Sequence, residues 1–367
     1  MKLNISGKNH TIYLILILNL LLNAFNSNAQ TYPRLGNPEY MQTRLIENFD
    51  AAELNRNLWR VISNDKKDNL YILADTPATV NQTDNSLVLS MRRHPGFSAQ
   101  TWSSEGNVTI TSNFISGSVM TVEDYSYGIF ECSATFAHGK GSFPAFWLYS
   151  DAMCFETERP EIDVVELKAN RRNPTLDNNI WYYPFGCMPQ TAHEFTKHPF
   201  SWGGTHTFKC LWNPERIEFW VDDTLLKVIF NTGQYWYPQF PQHFLLSQQI
   251  IRFGRLCPDS ARIETPQTSR FHWVKVREFF LAPEITCPEN ICASVLATLD
   301  VDEEASEITW ELTPKNIFTG NTSGRGRKVT ITPSTRFHGV GKLVFRFKMP
   351  SGENFSIEKE ITLNSLE

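Results

Sequence analysis

Short runs of alternating apolar and polar residues recur along this chain and leave little room for any other kind of element. SLVLSMR from Ser86, NVTITSNFI from Asn107, GIFECSATF from Gly128, RIEFWVDD from Arg216 and FHWVKVREFF from Phe271 send successive side chains to opposite faces. Asn, Asp, Gly and Pro interrupt them at intervals of roughly 8–12 residues, the rhythm of a β-sandwich or barrel. Helical periodicity is scarce after the first 30 residues, and there is no internal repeat or low-complexity segment. The chain has 367 residues, 41% of them hydrophobic and 13% aromatic, enough for a large core with aromatic residues to spare. The expected fold class is all-β.

Two boundaries divide it. Lys2 and Lys8 precede an apolar run from Ile12 to Leu22, and Ser27-Asn28-Ala29 then offers the small residues a signal peptidase inspects. That run is shorter than the ~20 residues of a membrane span. Residues 1–29 therefore read as an export signal, with a mature chain that starts at Gln30, carries no membrane span, and is secreted, periplasmic or held at a cell surface. The second boundary falls at LAPEITCPEN, Leu281 to Asn290, where two prolines bracket a strand end. This separates residues 30–283 from residues 284–367. The latter hold four strand candidates, EITWELTP, RKVTITPS, GKLVFRFKMP and FSIEKEITL, and have the size of a small immunoglobulin-like sandwich. They contain no paired carboxylates and no Cys/His site, so they read as an accessory module.

A net charge of −5 gives no global pull toward nucleic acid or anionic membrane. Seven cysteines suit an oxidising compartment; the odd count leaves at least one unpaired, and Cys287 and Cys292 could close a short loop. No CxxC or Cys/His cluster points to zinc, and no metal site is expected.

The chemistry concentrates in PEIDVVE, Pro160 to Glu166. On a strand Glu161 and Asp163 share a face, but Glu166 would point the other way. The intervening Ile162, Val164, Val165 and the following Leu167 are strand formers suited to a core. One extra residue at Val164-Val165, a β-bulge, would return Glu166 to the face of Glu161 and Asp163. Two glutamates on one face could then divide the work of glycoside hydrolysis. One stays ionised to attack the anomeric carbon and the other holds the proton for the leaving oxygen, their acidities separated by neighbouring charge. The bland alternative is a solvent-facing acidic stripe.

These residues resemble glycoside hydrolase family 16, the laminarinase, agarase and carrageenase group. PEIDVVE is similar to that family's bulged Glu-x-Asp-x-x-Glu signature. YGIFECSATFAHGKGSFPAFWLYS, from Tyr127 to Ser150, resembles the segment before it, and THTFKCLWNPERIEFWVDD, from Thr205 to Asp223, resembles a pair of strands after it. NFD at Asn48 and FHWVKVREF at Phe271 look like the opening and closing strands, so the likeness runs over roughly residues 44–282. It implies a β-jelly-roll sandwich with a concave sugar-binding cleft, and a retaining mechanism with Glu161 as nucleophile, Asp163 as its assistant and Glu166 as acid/base. It also implies that the last 84 residues, 284–367, are a PKD-like or immunoglobulin-like appendage. Three departures stand out. Pro160 replaces the small residue often found before the first Glu. Asp223 occupies a common turn-glycine position. His272 sits where many relatives carry an Asp that helps hold a structural calcium, so no cofactor is expected here.

Ten tryptophans in such a protein suggest sugar-stacking platforms, although most tryptophans in sandwiches are core. Trp147, Trp181 and Trp202 are the candidate platforms, with His193 and Arg252 as further substrate contacts. Lys168, Arg171 and Arg172 beyond the acidic strand, together with Arg252, would suit a sulfated sugar, since arginine pairs bidentately with such anions. The expected function is a secreted, monomeric, retaining endo-β-glycosidase that hydrolyses a polysaccharide, an algal galactan of the carrageenan or agar class. The alternatives are a β-1,3-glucanase (laminarinase), a transglycosylase, or a non-catalytic carbohydrate-binding protein on the same fold.

Overall fold

The computed structural model describes residues 36–67, 70–103, 106–150, 161–169, 175–182, 190–191, 194–196, 203–231, 241–251, 263–334 and 338–364. The expected export signal, Trp202, His193, Arg171, Arg172 and Arg252 lie outside them. Trp181 lies within a strand, but its side chain is not described.

Two antiparallel layers enclose the larger core. One sheet runs in the order Gln190–Thr191, Thr175–Tyr182, Glu161–Lys168, Ser142–Tyr149, Gln242–Ile250, Ser118–Tyr125, Trp59–Val61. The other is built around Gly128–Thr135 and Gln267–Phe279, flanked by Thr205–Trp212, Arg216–Val221 and Thr224–Phe230 on one side and by Leu87–Ser103 on the other. Alternation decides which side chains meet between them: Phe146, Leu148, Ile162, Val165, Phe244 and Leu246 from the first layer face Phe130, Phe208, Phe219, Phe271 and Val274 from the second. The protein is all-β with a jelly-roll-like arrangement. The opening strand Met41–Glu47 pairs with the closing strand Gln267–Phe279, and the chain beyond it enters the sandwich through Phe49, which is fully buried with φ +51. Its amide donates to Glu47 Oε1 at 2.8 Å.

Asp223, at the common turn-glycine position, has φ +62, and Asp222 before it has φ +46. Aspartate tolerates this left-handed region because its short side chain bonds locally. Here the Asp222 carboxylate accepts from the Thr207 amide at 2.9 Å and lies 2.5 Å from His206 Nδ1.

A second core gathers Ile285, Ile291, Leu299, Leu312, Ile317, Val329, Leu343, Phe345 and Ile361 between a three-stranded and a five-stranded sheet. All four strands expected there are present, as Ser306–Thr313, Lys328–Ile331, Gly339–Lys348 and Asn354–Leu363. Cys287 and Cys292 are not bridged: the first thiol is buried in this core and the second is exposed. Cys132 and Cys210 are also free, and burial pushes both thiols up from their ordinary acidity.

Phe146 stacks on Phe244 at 4.4 Å between ring centroids and sits in register with Val165 of the acidic strand. Phe146→Ala should therefore cost about 3–5 kcal/mol through the cavity it leaves. Equilibrium urea denaturation of the full chain, compared with wild type, would measure that loss.

Candidate active site

In the strand Glu161–Lys168 the buried members Ile162, Val164, Val165 and Leu167 join the large core, while Glu161, Glu166 and Lys168 remain partly open. The strand register shows how Glu166 comes to this side. On one neighbour, Ala145 pairs with Glu166 and Trp147 with Asp163, so two steps there face three steps here. On the other, Asp177 pairs with Glu166 and Asn179 with Asp163, with the same mismatch. The extra residue lies at Val164-Val165, as the acidic spacing predicts. A bulge leaves backbone groups unmatched in the ladder, and one of them, the Val164 carbonyl, accepts from the Asn178 side-chain amide. Asn178 is itself buried between Leu176 and Ile180, both core residues.

The result is a grid. His243, Tyr149, Glu161 and Trp181 occupy one row across the sheet. Leu245, Trp147, Asp163 and Asn179 form the next, and Ser247, Ala145, Glu166 and Asp177 the third. Three carboxylates thus stand on consecutive rows of one face, with Asp163 buried between the two half-open glutamates.

Glu161 lines a cavity of about 640 Å³ together with Trp147, Tyr149, Gln249, Arg60 and Lys67. The Trp147 indole N–H donates to Ser247 Oγ at 3.3 Å and the ring meets Tyr149 edge-on at 5.5 Å, so the indole is held from two sides. Gln249 is held likewise, donating to Ser247 Oγ at 3.1 Å and accepting from the Tyr71 hydroxyl at 2.9 Å. Rigid aromatic and amide groups of this kind can orient a sugar ring with little loss of conformational freedom on binding.

Lys168 corrects one expectation. It does not stand at the rim as an open cation. Its Nζ lies 2.8 Å from Glu166 Oε2 and 2.6 Å from Asp177 Oδ2. Burial by itself would push the ammonium down, but the charge of Glu166 and the hydrogen bonds to Asp177 and Glu166 outweigh it, and the net direction is up.

A model of the glycosyl hydrolases family 16 matches residues 67–252, which include the whole acidic strand. The chain belongs to glycosyl hydrolase family 16. Among characterised relatives, an endo-1,3-1,4-beta-glycanase, ExsH, of Rhizobium meliloti strain 1021 is 29% identical over 116 residues. That likeness covers 31% of this chain and only 24% of ExsH, so the chain spans about a quarter of that relative's length. Solved structures agree in fold. A structure described with endo-acting O-glycanases of the human gut microbiota matches with a TM-score of 0.56 at 19% identity, covering 67% of this chain and 94% of that one. LamA from Z. galactanivorans, in complex with laminaritriose and laminaritetraose, matches with a TM-score of 0.52 at 16% identity, covering 65% and 100%. The laminarinase catalytic domain from Thermotoga maritima MSB8 matches at 0.51 and 20% identity, covering 65% and 99%.

In this family 16 chain the position that the resemblance links to calcium is differently furnished. His272 Nδ1 lies 3.1 Å from Ser86 Oγ and Nε2 lies 2.9 Å from Thr135 Oγ1. Calcium takes oxygen ligands with carboxylates among them, and this set of two hydroxyls and an imidazole does not suit it. Among the described residues no group of three or more His, Cys, Asp or Glu could hold a metal ion. The two hydroxyls fit a neutral imidazole, one accepting and one donating. Burial, and then the nearby Arg270 charge, hold the His272 pKa below the usual histidine value. The unfolded chain therefore binds this proton more readily than the folded one. Stability is unaffected by His272 above about pH 6.5 and falls as pH drops through that value toward the folded pKa. Melting curves between pH 7.5 and pH 5 should show a steeper acid loss in wild type than in His272→Gln.

Proposed function

We propose that the protein is a retaining endo-β-glycosidase that cuts a polysaccharide. The observation that carries this is the alignment by the bulge of Glu161, Asp163 and Glu166 on consecutive rows of one face, with Glu161 lining a cavity furnished with a fixed tryptophan. Glu161, ionised, attacks the anomeric carbon while Glu166 gives its proton to the departing glycosidic oxygen, leaving a glycosyl ester on Glu161. Water then attacks the anomeric carbon of that ester as Glu166 takes its proton; the bond from this carbon to the Glu161 oxygen breaks, which frees the Glu161 carboxylate, and the second inversion returns the product with its original anomeric configuration. Asp163 lies between them and assists Glu161. The carboxylates supply both nucleophile and proton, so the proposed reaction uses no cofactor. Trp147 serves as the stacking platform; Trp181, in register with Glu161, is proposed as a second, with Trp202, His193 and Arg252 as contacts from segments outside the described residues. The protein acts after export, as a monomer, with residues 284–367 as an accessory module.

For the polysaccharide we propose a galactan of the carrageenan or agar class, on the sequence string from PAFWLYS to EIDVVEL and on Arg60, whose exposed side chain reaches the cavity wall. β-1,3-Glucan is the second reading, favoured by the laminarinases among the similar structures. Incubation with carrageenans, agar, porphyran, laminarin and mixed-linkage glucan, followed by product sizing, separates them. Products longer than the donor would mean transglycosylation, and absence of new reducing ends across the panel would mean a sugar-binding protein. On the active substrate, Glu161→Gln and Glu166→Gln should each lose at least ~10²–10⁴-fold in kcat; wild-type rates in both would end the assignment. Arg60→Ala should raise KM for a sulfated galactan and leave laminarin cleavage unchanged.

A further inference from the structure

Asp177 is 1% exposed and stands in register with Glu166 across two strands. Its Oδ1 is buried without a hydrogen-bond partner, and its Oδ2 accepts from Lys168. A buried carboxylate is costly unless a cation accompanies it, and Lys168 is that cation. The same ammonium reaches Glu166 Oε2 and lies over the Phe143 ring, 5.5 Å from its centroid. Phe143 fixes its height above the sheet, and the two carboxylates fix its direction. On the far side of Glu166 the strand Ser142–Tyr149 presents Ala145 in register, flanked by Phe143 and Trp147, none of which titrates. Glu161 and Asp163 stand on the same strand as Glu166. Among the described residues the charges around Glu166 are thus three carboxylates and one ammonium, and that ammonium is shared.

We propose that Lys168 is a positioning residue for the acid/base, holding the Glu166 carboxyl toward the cleft and, through its division between Glu166 and Asp177, setting how firmly Glu166 keeps its proton. The proposal rests on Glu166 being the acid/base. An ammonium given wholly to Glu166 would favour the carboxylate and weaken it as the acid of the first step. Asp177 left without a cation would favour the protonated form and weaken Glu166 as the base of the second step. Sharing keeps both steps accessible to one residue. The expected consequence is specific in sign: the two partners of one ion pair should move Glu166 in opposite directions.

The titration of Glu166 can be read without any substrate, by carboxyl ¹³C NMR of the full chain labelled at glutamate Cδ, with the resonance assigned as the one missing from Glu166→Gln. Lys168→Met should raise the midpoint by about one pH unit and Asp177→Asn should lower it by a similar amount, while Lys168→Arg stays near wild type. Shifts in the same direction, or none in either variant, overturn the proposal. If Lys168→Met does not fold, Asp177→Asn carries the test alone: a lowered midpoint supports the shared cation, and an unchanged or raised one refutes it. A reducing-end assay of Glu166→Gln on laminarin and on a carrageenan keeps the two failures apart. Retained cleavage would remove Glu166 as the acid/base; lost cleavage with unshifted midpoints would remove only the role of Lys168.

Discussion

The hydrogen bond from the Asn178 side chain to the Val164 carbonyl closes the one break in the ladder that places the acids. If Val164 and Val165 followed regular period-two alternation with no bulge, Glu166, three positions after Asp163, would point into the space between the layers, among Phe146, Phe244 and Val274. There its charge would have to be neutralised or the strand would slip. With the bulge, the aliphatic residues of the same strand keep the core filled on one side, and the acids line up on the other. The bulge thus fills the core and aligns the proposed catalytic acids at once.

A face carrying Glu161, Asp163, Glu166 and Asp177 on adjacent rows repels itself. The sheet tolerates this through Lys168, and through strands on both sides that bury non-titrating groups such as Ala145 and Asn179. Rigidity comes from behind. Phe146 and Leu148, on the same strand as Trp147, and Ile162, on the same strand as the acids, are anchored in the large core. The half-open side chains therefore stand on a backbone with little freedom to relax away from one another.

Much of this was legible in the sequence, and the reason is locality. The period-two runs and their turn residues specified the strands, and three acids separated by two and then three positions specified a bulge, because both patterns lie within one short segment. The partners that complete the site were not legible in the same way. Asn178 and Asp177 act through strand register, which depends on the turn and pairing of residues far along the chain. Lys168 looked like a rim cation because nothing in ELKANRRNP indicates that Asp177, across from Glu166, comes within reach of its ammonium. The Cys287 and Cys292 pair failed for a related reason: close sequence spacing says nothing about burying one thiol in a core while the other faces solvent.

The proposed accessory module meets the sandwich through more than a linker. Phe280 directly follows the strand Gln267–Phe279, yet it packs with the second core, meeting Phe355 at 4.9 Å and Tyr40 at 5.9 Å. Glu353 accepts from both the amide and the hydroxyl of Thr43 at 3.0 Å. Burial alone would raise the Glu353 pKa, but these bonds, the Ser351 hydroxyl and the Lys275 charge outweigh it and hold it low. Thr43 belongs to the opening strand and Phe280 follows the closing one, and those two strands pair with each other. The module is therefore fastened at the point where the jelly roll begins and ends. Removing it would expose Phe280 and Tyr40 and unfasten the opening strand, a structural effect on the sandwich quite apart from any contact the module makes with a polysaccharide.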